Sequence, residues 1–312
     1  MKILCIGDLN ADLIVPYGTA KANVGKIVKE KAEVTLRSGG TVGNVVTVLG
    51  KLGAKPLFVT NICTDGTGEF LRKELEKHGA DLRYAQVREE ETLLCVAVID
   101  EKKDRLVFPW CSPKAHYLRF DRTSFEKIPR EDYLVFLSGM VLTNEKTTMR
   151  ETVRFIRELR LHTESKIVFD CNVRRETYGL NREREMCLHE LIRLSDVVLG
   201  SRKEDFQSFV PEESLEEYWK SLSEKRVVIT REGVEPAEIW QNGRKTSVKP
   251  RKVNVLQTIG AGDTFDAAFL YAYALGNTPE KCVRFANRIA GYMISHEGHL
   301  RIPQKRKDTW NI

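Results

Sequence analysis

The sequence predicts an α/β protein: a mostly parallel central sheet flanked by helices on both faces, with a small β lid. Three observations carry this. Short apolar runs alternate with amphipathic segments of helical period, and Gly, Asn and Asp punctuate the junctions. The 312 residues suffice to bury one large core or two smaller ones. Strands joined through helices also imply right-handed crossovers.

Lys2 to Ile6 is a short apolar run closed by Gly7 and reads as a buried first strand. Asp8, Asn10 and Asp12 follow it. Open α/β sheets bind ligands at that end of a strand, although Asn and Asp also favour simple turns. Between Ala11 and Leu36 the chain turns charged, and Lys26 to Leu36 alternates weakly, which predicts exposed strands without a large core. Ser38-Gly39-Gly40-Thr41-Val42-Gly43-Asn44 then runs into a helical pattern through Leu52, stopped by Gly53. Paired glycines let a backbone approach a ligand, and Asn44 offers a donor and an acceptor. A strand-to-helix turn with a cap is the alternative.

Lys55 to Thr60 reads as a strand, Asp65-Gly66 as a turn, and Thr67 to His78 as a helix closed by Gly79. Leu93 to Ile99 and Arg105 to Phe108 form a strand pair around the charged turn Asp100 to Asp104. With the earlier exposed segment they predict a lid over roughly residues 11–38 and 92–118, on a single unit of 1–312. Strand and helix then alternate through Tyr133–Leu137, Thr147–Leu161, Lys166–Asp170, a helix ending near Leu194, and Val197–Leu199. Glu213–Ser223 continues as helix and Val227–Thr230 as strand. Ala237 to Val248 is a hairpin turning at Asn242-Gly243. Gly262–Leu275 and Pro279–Ser295 complete the chain as helices.

The chain is organised around Gln257 to Leu275. Gly260, Ala261 and Gly262 sit directly before a helix, with Asp263 in its first turn. A helix start presents unpaired N–H groups and the positive end of a dipole, which together cradle an anion. A carboxylate there would repel a phosphate, but it makes sense facing a hydroxyl that attacks that phosphate. A Gly-rich turn capped by Asp is the bland alternative.

Composition narrows the classes. Lys plus Arg is 50 against 44 Asp plus Glu, and these charges are interspersed, which argues against a nucleic-acid binder. The basic cluster Arg301 to Lys307 reads as a solvated tail. Seven scattered cysteines without a Cys-x-x-Cys pair argue for reduced thiols and against a disulfide scaffold or zinc knuckle. No apolar run approaches a membrane span, and the first strand begins too early for a signal peptide. The expectation is a soluble cytoplasmic protein with no nucleic-acid or membrane partner.

Asn10-x-Asp12, Gly39-Gly40 with Asn44, Asp170-x-Asn172-x-Arg174 and Gly260-Ala261-Gly262-Asp263-Thr264-Phe265 occur in that order. Together they resemble the PfkB (ribokinase-like) family of carbohydrate and nucleoside kinases over nearly the whole chain. The resemblance implies Asp263 as catalytic base, with the amides of Gly260, Ala261 and Gly262 as anion hole. It implies Asn10, Asp12, Gly39, Gly40 and Asn44 as sugar ligands, and Arg174 as an arginine that reaches phosphate. Ser201, Glu204, Thr230, Gly262 and Asn287 fall where relatives contact the nucleotide, and Glu204 and Asp170 where they serve its metal indirectly. ATP and Mg²⁺ are the implied cofactors.

Departures fall on the nucleotide side. Ser201 stands where the family has Asn, with Glu204 retained, and Glu232 stands where the nucleotide loop has glycine. Gln257 and Ile259 replace an acid and a threonine that help hold K⁺ in some relatives, which makes a K⁺ site doubtful. The implied activity is ATP-dependent phosphotransfer to a small sugar or sugar derivative. The alternatives are a nucleoside kinase of the same family and a sugar-binding regulatory protein impaired in turnover. Specificity is expected to depend on the lid and on what meets Phe108, Trp110 and Lys114. A homodimer through exposed lid strands is the expected assembly.

Overall fold

The computed structural model of the chain describes residues 1–16, 33–99, 105–110, 118–142 and 145–304. An eight-stranded sheet forms its centre. Six strands run parallel: β1 (Lys2–Ile6), β4 (Leu57–Val59), β9 (Tyr133–Ser138), β10 (Lys166–Asp170), β11 (Val197–Ser201) and β12 (Val227–Arg231). The hairpin of β13 (Ala237–Gln241) and β14 (Arg244–Val248) adds antiparallel strands at one edge. The order across the sheet is β14-β13-β12-β11-β10-β9-β1-β4. The hairpin turns at Asn242 and Gly243, both at positive φ, as Asn-Gly turns require.

The inner strands read as continuous apolar runs because each of their two faces is covered. Ile3 and Cys5 point into one core while Leu4 and Ile6 point into the other, and Leu134 and Phe136 alternate in the same way with Val135 and Leu137. The first core is closed by α1 (Thr41–Lys51), α2 (Gly66–Lys77), α8 (Ala261–Ala274) and α9 (Pro279–Ile294). The second is closed by α4 (Lys146–His162), α6 (Arg182–Leu194) and α7 (Leu215–Ser223), with the shorter α3 (Thr123–Glu126). Trp219 is its largest buried side chain.

A separate four-stranded sheet holds β2 (Asn10–Pro16) between β3 (Thr35–Gly39) and β7 (Leu94–Ile99), with β8 (Arg105–Trp110) beyond β7. β2 runs antiparallel to β3 and parallel to β7. This sheet occupies the segments expected to form the lid. Lys21 to Ala32, the turn at 100–104 and Lys114 lie outside the described residues, as does 305–307 of the basic cluster.

Some boundaries differ from the pattern. β4 starts at Leu57 because Pro56 before it cannot donate to a ladder. Asp65 is the N-cap of α2, accepting from Gly68 N at 2.7 Å, and not merely a turn residue. The pair β5 (Asn61–Cys63) and β6 (Gln86–Arg88) has three residues per strand, too few for a period to show. The short α5 (Arg175–Tyr178) follows two left-handed residues, Asn172 and Arg174.

One tight contact sets how α1 meets α2. A Cβ on Gly50 would overlap the backbone carbonyl of His78, the C-cap of α2. Alanine favours a helix by about 1 kcal/mol over glycine. Gly50→Ala is nevertheless expected to destabilise the fold by about 1–3 kcal/mol, through overpacking against a backbone that cannot move aside. Urea denaturation reads the difference; an unchanged or later midpoint would remove this contact as a constraint.

Candidate active site

The carboxyl end of β1 meets the N-termini of α1 and α8, and the predicted residues gather there. Gly7 ends β1, and Asp8 accepts from Thr41 N at 2.7 Å and Val42 N at 3.2 Å, capping α1 from a distance in sequence. Gly40 precedes that helix at φ 87°, with its Cα so near Asp8 that a Cβ would lie 2.9 Å from the Asp8 carbonyl. Only glycine satisfies both conditions. Gly39 pairs with Asn10 across β2 and β3, and a Cβ there would run into the Asp12 carboxylate.

Asn10 donates to Asp12 Oδ1 at 2.6 Å. Burial pushes the Asp12 carboxyl up to about 6; Asn10 opposes the shift, while the neighbouring charge of Asp8 adds to it. Asn44, buried on α1, donates from Nδ2 to Asp263 Oδ2 at 2.7 Å. Its Oδ1 is buried without a partner among the described residues. An orphaned buried acceptor beside a carboxylate suits a ligand hydroxyl.

Asp263 sits in the first turn of α8, where Gly260 holds the left-handed conformation at φ 78°. Burial pushes its carboxyl up to about 7, against the Asn44 hydrogen bond; Asp8 and Asp170 raise it further and Arg174 lowers it. A base of that pKa accepts a proton near neutrality. Ala261 N donates to Thr258 O at 3.2 Å, so the loop itself occupies one of the three expected anion-hole amides. The amides of Gly260, Gly262 and Asp263 have no acceptor among the described residues, so two of the three expected amides stay open and that of Asp263 joins them.

A cavity of about 790 Å³ opens beside this loop, with Ser201, Glu204, Gly262 and Asn287 in its wall. Ser201 is held by Asp205, which accepts from its N at 2.7 Å and its Oγ at 3.1 Å. Thr230 is buried beside Glu238 Oε2 at 3.5 Å, so its hydroxyl is spent on the next strand. Arg174 donates from Nε to Asn172 Oδ1 at 2.7 Å and lies 3.8 Å from Glu204. Asn172 in turn reaches Thr41 Oγ1 at 2.9 Å, tying this loop to α1.

Sequence reasoning missed Arg231 and Asp266. Arg231 ends β12 and is clamped between Asp170, at 3.0 Å, and Asp266 on α8. Burial opposes its charge, but Asp266 and Asp170 outweigh that and raise its pKa. Burial and the mutual repulsion of the two acids push Asp170 well up. The guanidinium lies under the anion loop, 3.5 Å from where a Gly262 Cβ would stand, and it lines the cavity. The only advance signal was the run Thr230-Arg231-Glu232, where glycine was expected at the third position. Asp170 is committed to Arg231, so Glu204 is the expected metal-side carboxylate that faces the cavity. No cluster of three metal-ligating side chains occurs among the described residues.

Gln257, where the sequence puts a K⁺ site in doubt, is held by the backbone. Its Nε2 points at three backbone carbonyls: Gly298 at 2.8 Å, His296 at 3.0 Å and Met293 at 3.4 Å. A ring of carbonyls is the surrounding a hard cation takes, and here a tethered amide fills it. The same C-terminal segment braces both loops. His299 Nε2 meets Ser38 O at 2.8 Å, and the Leu300 side chain packs against Gly260.

The fold and this loop define an α/β phosphotransferase. The family model for pfkB carbohydrate kinases matches residues 1–305, and the chain belongs to that family. It is a carbohydrate kinase. A 5-dehydro-2-deoxygluconokinase from Clostridium tetani is 25% identical over 314 residues, covering 93% of this chain and 90% of the relative. A fructokinase with bound ATP from Xylella fastidiosa superposes with a TM-score of 0.79, with 18% identity over 96% of this chain and 94% of its own. An aminoimidazole riboside kinase from Salmonella enterica, complexed with its riboside and an ATP analogue, gives 0.75 at 19% identity over 96% and 95%. No helix among the described residues is long and apolar enough to cross a membrane.

The raised Asp263 pKa carries a stability consequence with a definite sign. Its ordinary value is 3.8, so between about pH 4 and 7 the folded chain keeps a proton that the unfolded chain has lost. Stability from this group therefore falls as pH rises through that window. Asp263→Asn, which keeps an acceptor for Asn44, is expected to be more stable than wild type by about 1–3 kcal/mol at pH 8, and no more stable at pH 4. Paired urea titrations at the two pH values test this; a pH-independent difference would contradict the buried charge.

Proposed function

We propose that this kinase phosphorylates a hydroxyl of a small sugar or sugar acid from ATP, with Asp263 as the base. The observation that carries this is Asp263 itself, partly buried and bonded to Asn44 beside the unpaired amides of Gly262 and its own N–H. The substrate hydroxyl donates to the Asp263 carboxylate, which takes its proton as the oxygen attacks the terminal phosphoryl group. Asn10, Asp12 and the Asn44 carbonyl oxygen hold the remaining hydroxyls, with Gly39 and Gly40 allowing close backbone approach. The loop amides stabilise charge gathering on the phosphoryl oxygens, and Arg231 adds fixed positive charge beneath them. Bound Mg²⁺ would spread charge over the nucleotide phosphates, with Glu204 the nearest carboxylate on the protein side.

Arg174, tied to Asn172 and next to Glu204, lowers the Asp263 pKa through its charge and stands ready for phosphate. Asn287 and Ser201 belong to the nucleotide wall, whereas Thr230 supports it from behind. The four-stranded sheet serves as a lid that excludes water, and its exposed Leu36, Leu106 and Phe108 favour pairing of two copies through it. We also read the enzyme as cytoplasmic, in keeping with the buried thiols of Cys5, Cys171 and Cys282. The relative from Clostridium tetani favours a deoxygluconate-type sugar acid first among substrates.

A panel of sugars, sugar acids and nucleosides with MgATP should release ADP with at least one sugar or sugar acid. Asp263→Ala should lower that turnover by about 10²–10⁴-fold or more while sugar binding by calorimetry persists. Binding without ADP release across the panel would favour a regulatory sugar-binding protein instead, and preferential turnover of nucleosides the other family branch.

The carbonyl ring around Gln257 gives a second expectation. Wild-type rates should be equal in potassium, sodium and tetramethylammonium buffers of one ionic strength. Gln257→Asp, which exchanges an internal donor for a carboxylate, should make turnover rise with potassium. Wild-type activation by potassium would contradict the amide's role.

A further inference from the structure

Beside the nucleotide cavity lies a second hollow of about 280 Å³, walled by Lys249, Arg251, Lys281, Arg284 and Arg288. Lys281, Arg284 and Arg288 fall at i, i+3 and i+7 on α9 and so form one stripe. Lys249 and Arg251 come from the segment after β14 and close the other side. Among the described residues, Arg284 alone of the five has a carboxylate partner, Glu280 Oε1 at 2.6 Å. Burial and the charge of Arg251 hold the Arg288 guanidinium below its usual pKa, the mark of two cations kept close without a counter-charge. Lys281 adds a cation to the first turn of α9, where the helix dipole already disfavours one.

We propose that this hollow binds a phosphate dianion, either free or carried on a small metabolite. Forked guanidinium groups on opposite walls suit bidentate contact with phosphate oxygens, and a carboxylate monoanion would leave most of the charge unmatched. The volume admits a small phosphorylated molecule and not a polymer. The site shares Lys249, Arg251 and Asn287 with the nucleotide cavity. An anion seated in it therefore alters nucleotide affinity, and the nucleotide alters anion affinity by the same factor. That coupling, unlike the site, rests on the nucleotide reading above.

The test is calorimetric titration of inorganic phosphate, and separately of glucose 6-phosphate, into protein saturated with ADP, against sodium chloride at matched ionic strength. Saturable binding of one equivalent is expected, tighter for the sugar phosphate if a metabolite is the natural occupant and tighter for phosphate if the free ion is. Lys281→Gln with Arg284→Gln, both exposed helix positions outside the nucleotide cavity, should weaken binding by about ten- to a hundredfold. An unchanged urea midpoint confirms that the double variant folds. Heats reproduced by chloride, or a double variant that binds like wild type, would overturn the proposal. Kinase turnover in the same preparation separates loss of this site from failure of the nucleotide reading.

Discussion

One hydrogen bond, from Asn44 to Asp263, joins two helix starts separated by 219 residues and fixes where the two halves of the site meet. Each partner is positioned by a glycine that no other residue could replace without movement. Gly40 lets α1 begin against Asp8, and Gly260 adopts the left-handed turn that aims α8. The bond then orients the Asp263 carboxylate through Oδ2 while the Asn44 carbonyl oxygen stays without a partner among the described residues. Packing of α1 and α8 within the same apolar core keeps that geometry rigid.

The arrangement gathers acids at considerable electrostatic cost. Asp8, Asp170, Asp263 and Asp266 converge on one end of the sheet, and burial raises the carboxyls of Asp170, Asp263 and Asp266. Arg231 is the fixed counter-charge that makes this tolerable. It holds Asp170 and Asp266 from the middle and leaves Asp263 outside the ion pairs. On the far side, the amide of Gln257 reaches the carbonyls of Met293, His296 and Gly298 and ties the approach to α8 to the C-terminal segment.

Much of this was legible in the sequence. The strand and helix alternation follows from burial on both faces of the sheet, and Asn44, Gly40 and Asp263 announce themselves through small-residue turns at helix starts. What could not be read were contacts that depend on tertiary approach. Arg231 meets Asp170 across 61 residues and no local period marks either. Thr230 and Arg231 alternate across a strand, so the Thr230 hydroxyl reaches Glu238 while Arg231 on the other face lines the cavity. The Ala261 amide looked available from spacing alone, yet the turn that creates the helix start also consumes it.

The four-stranded sheet carries one further consequence of the proposed reading. Asn10 and Asp12 lie on β2, and Gly39 pairs with Asn10 on β3, whereas Asn44 and Asp263 lie on α1 and α8 against the central sheet. A sugar held by all four side chains would bridge the two sheets. Its recognition would then depend on the whole chain's architecture and not on one loop.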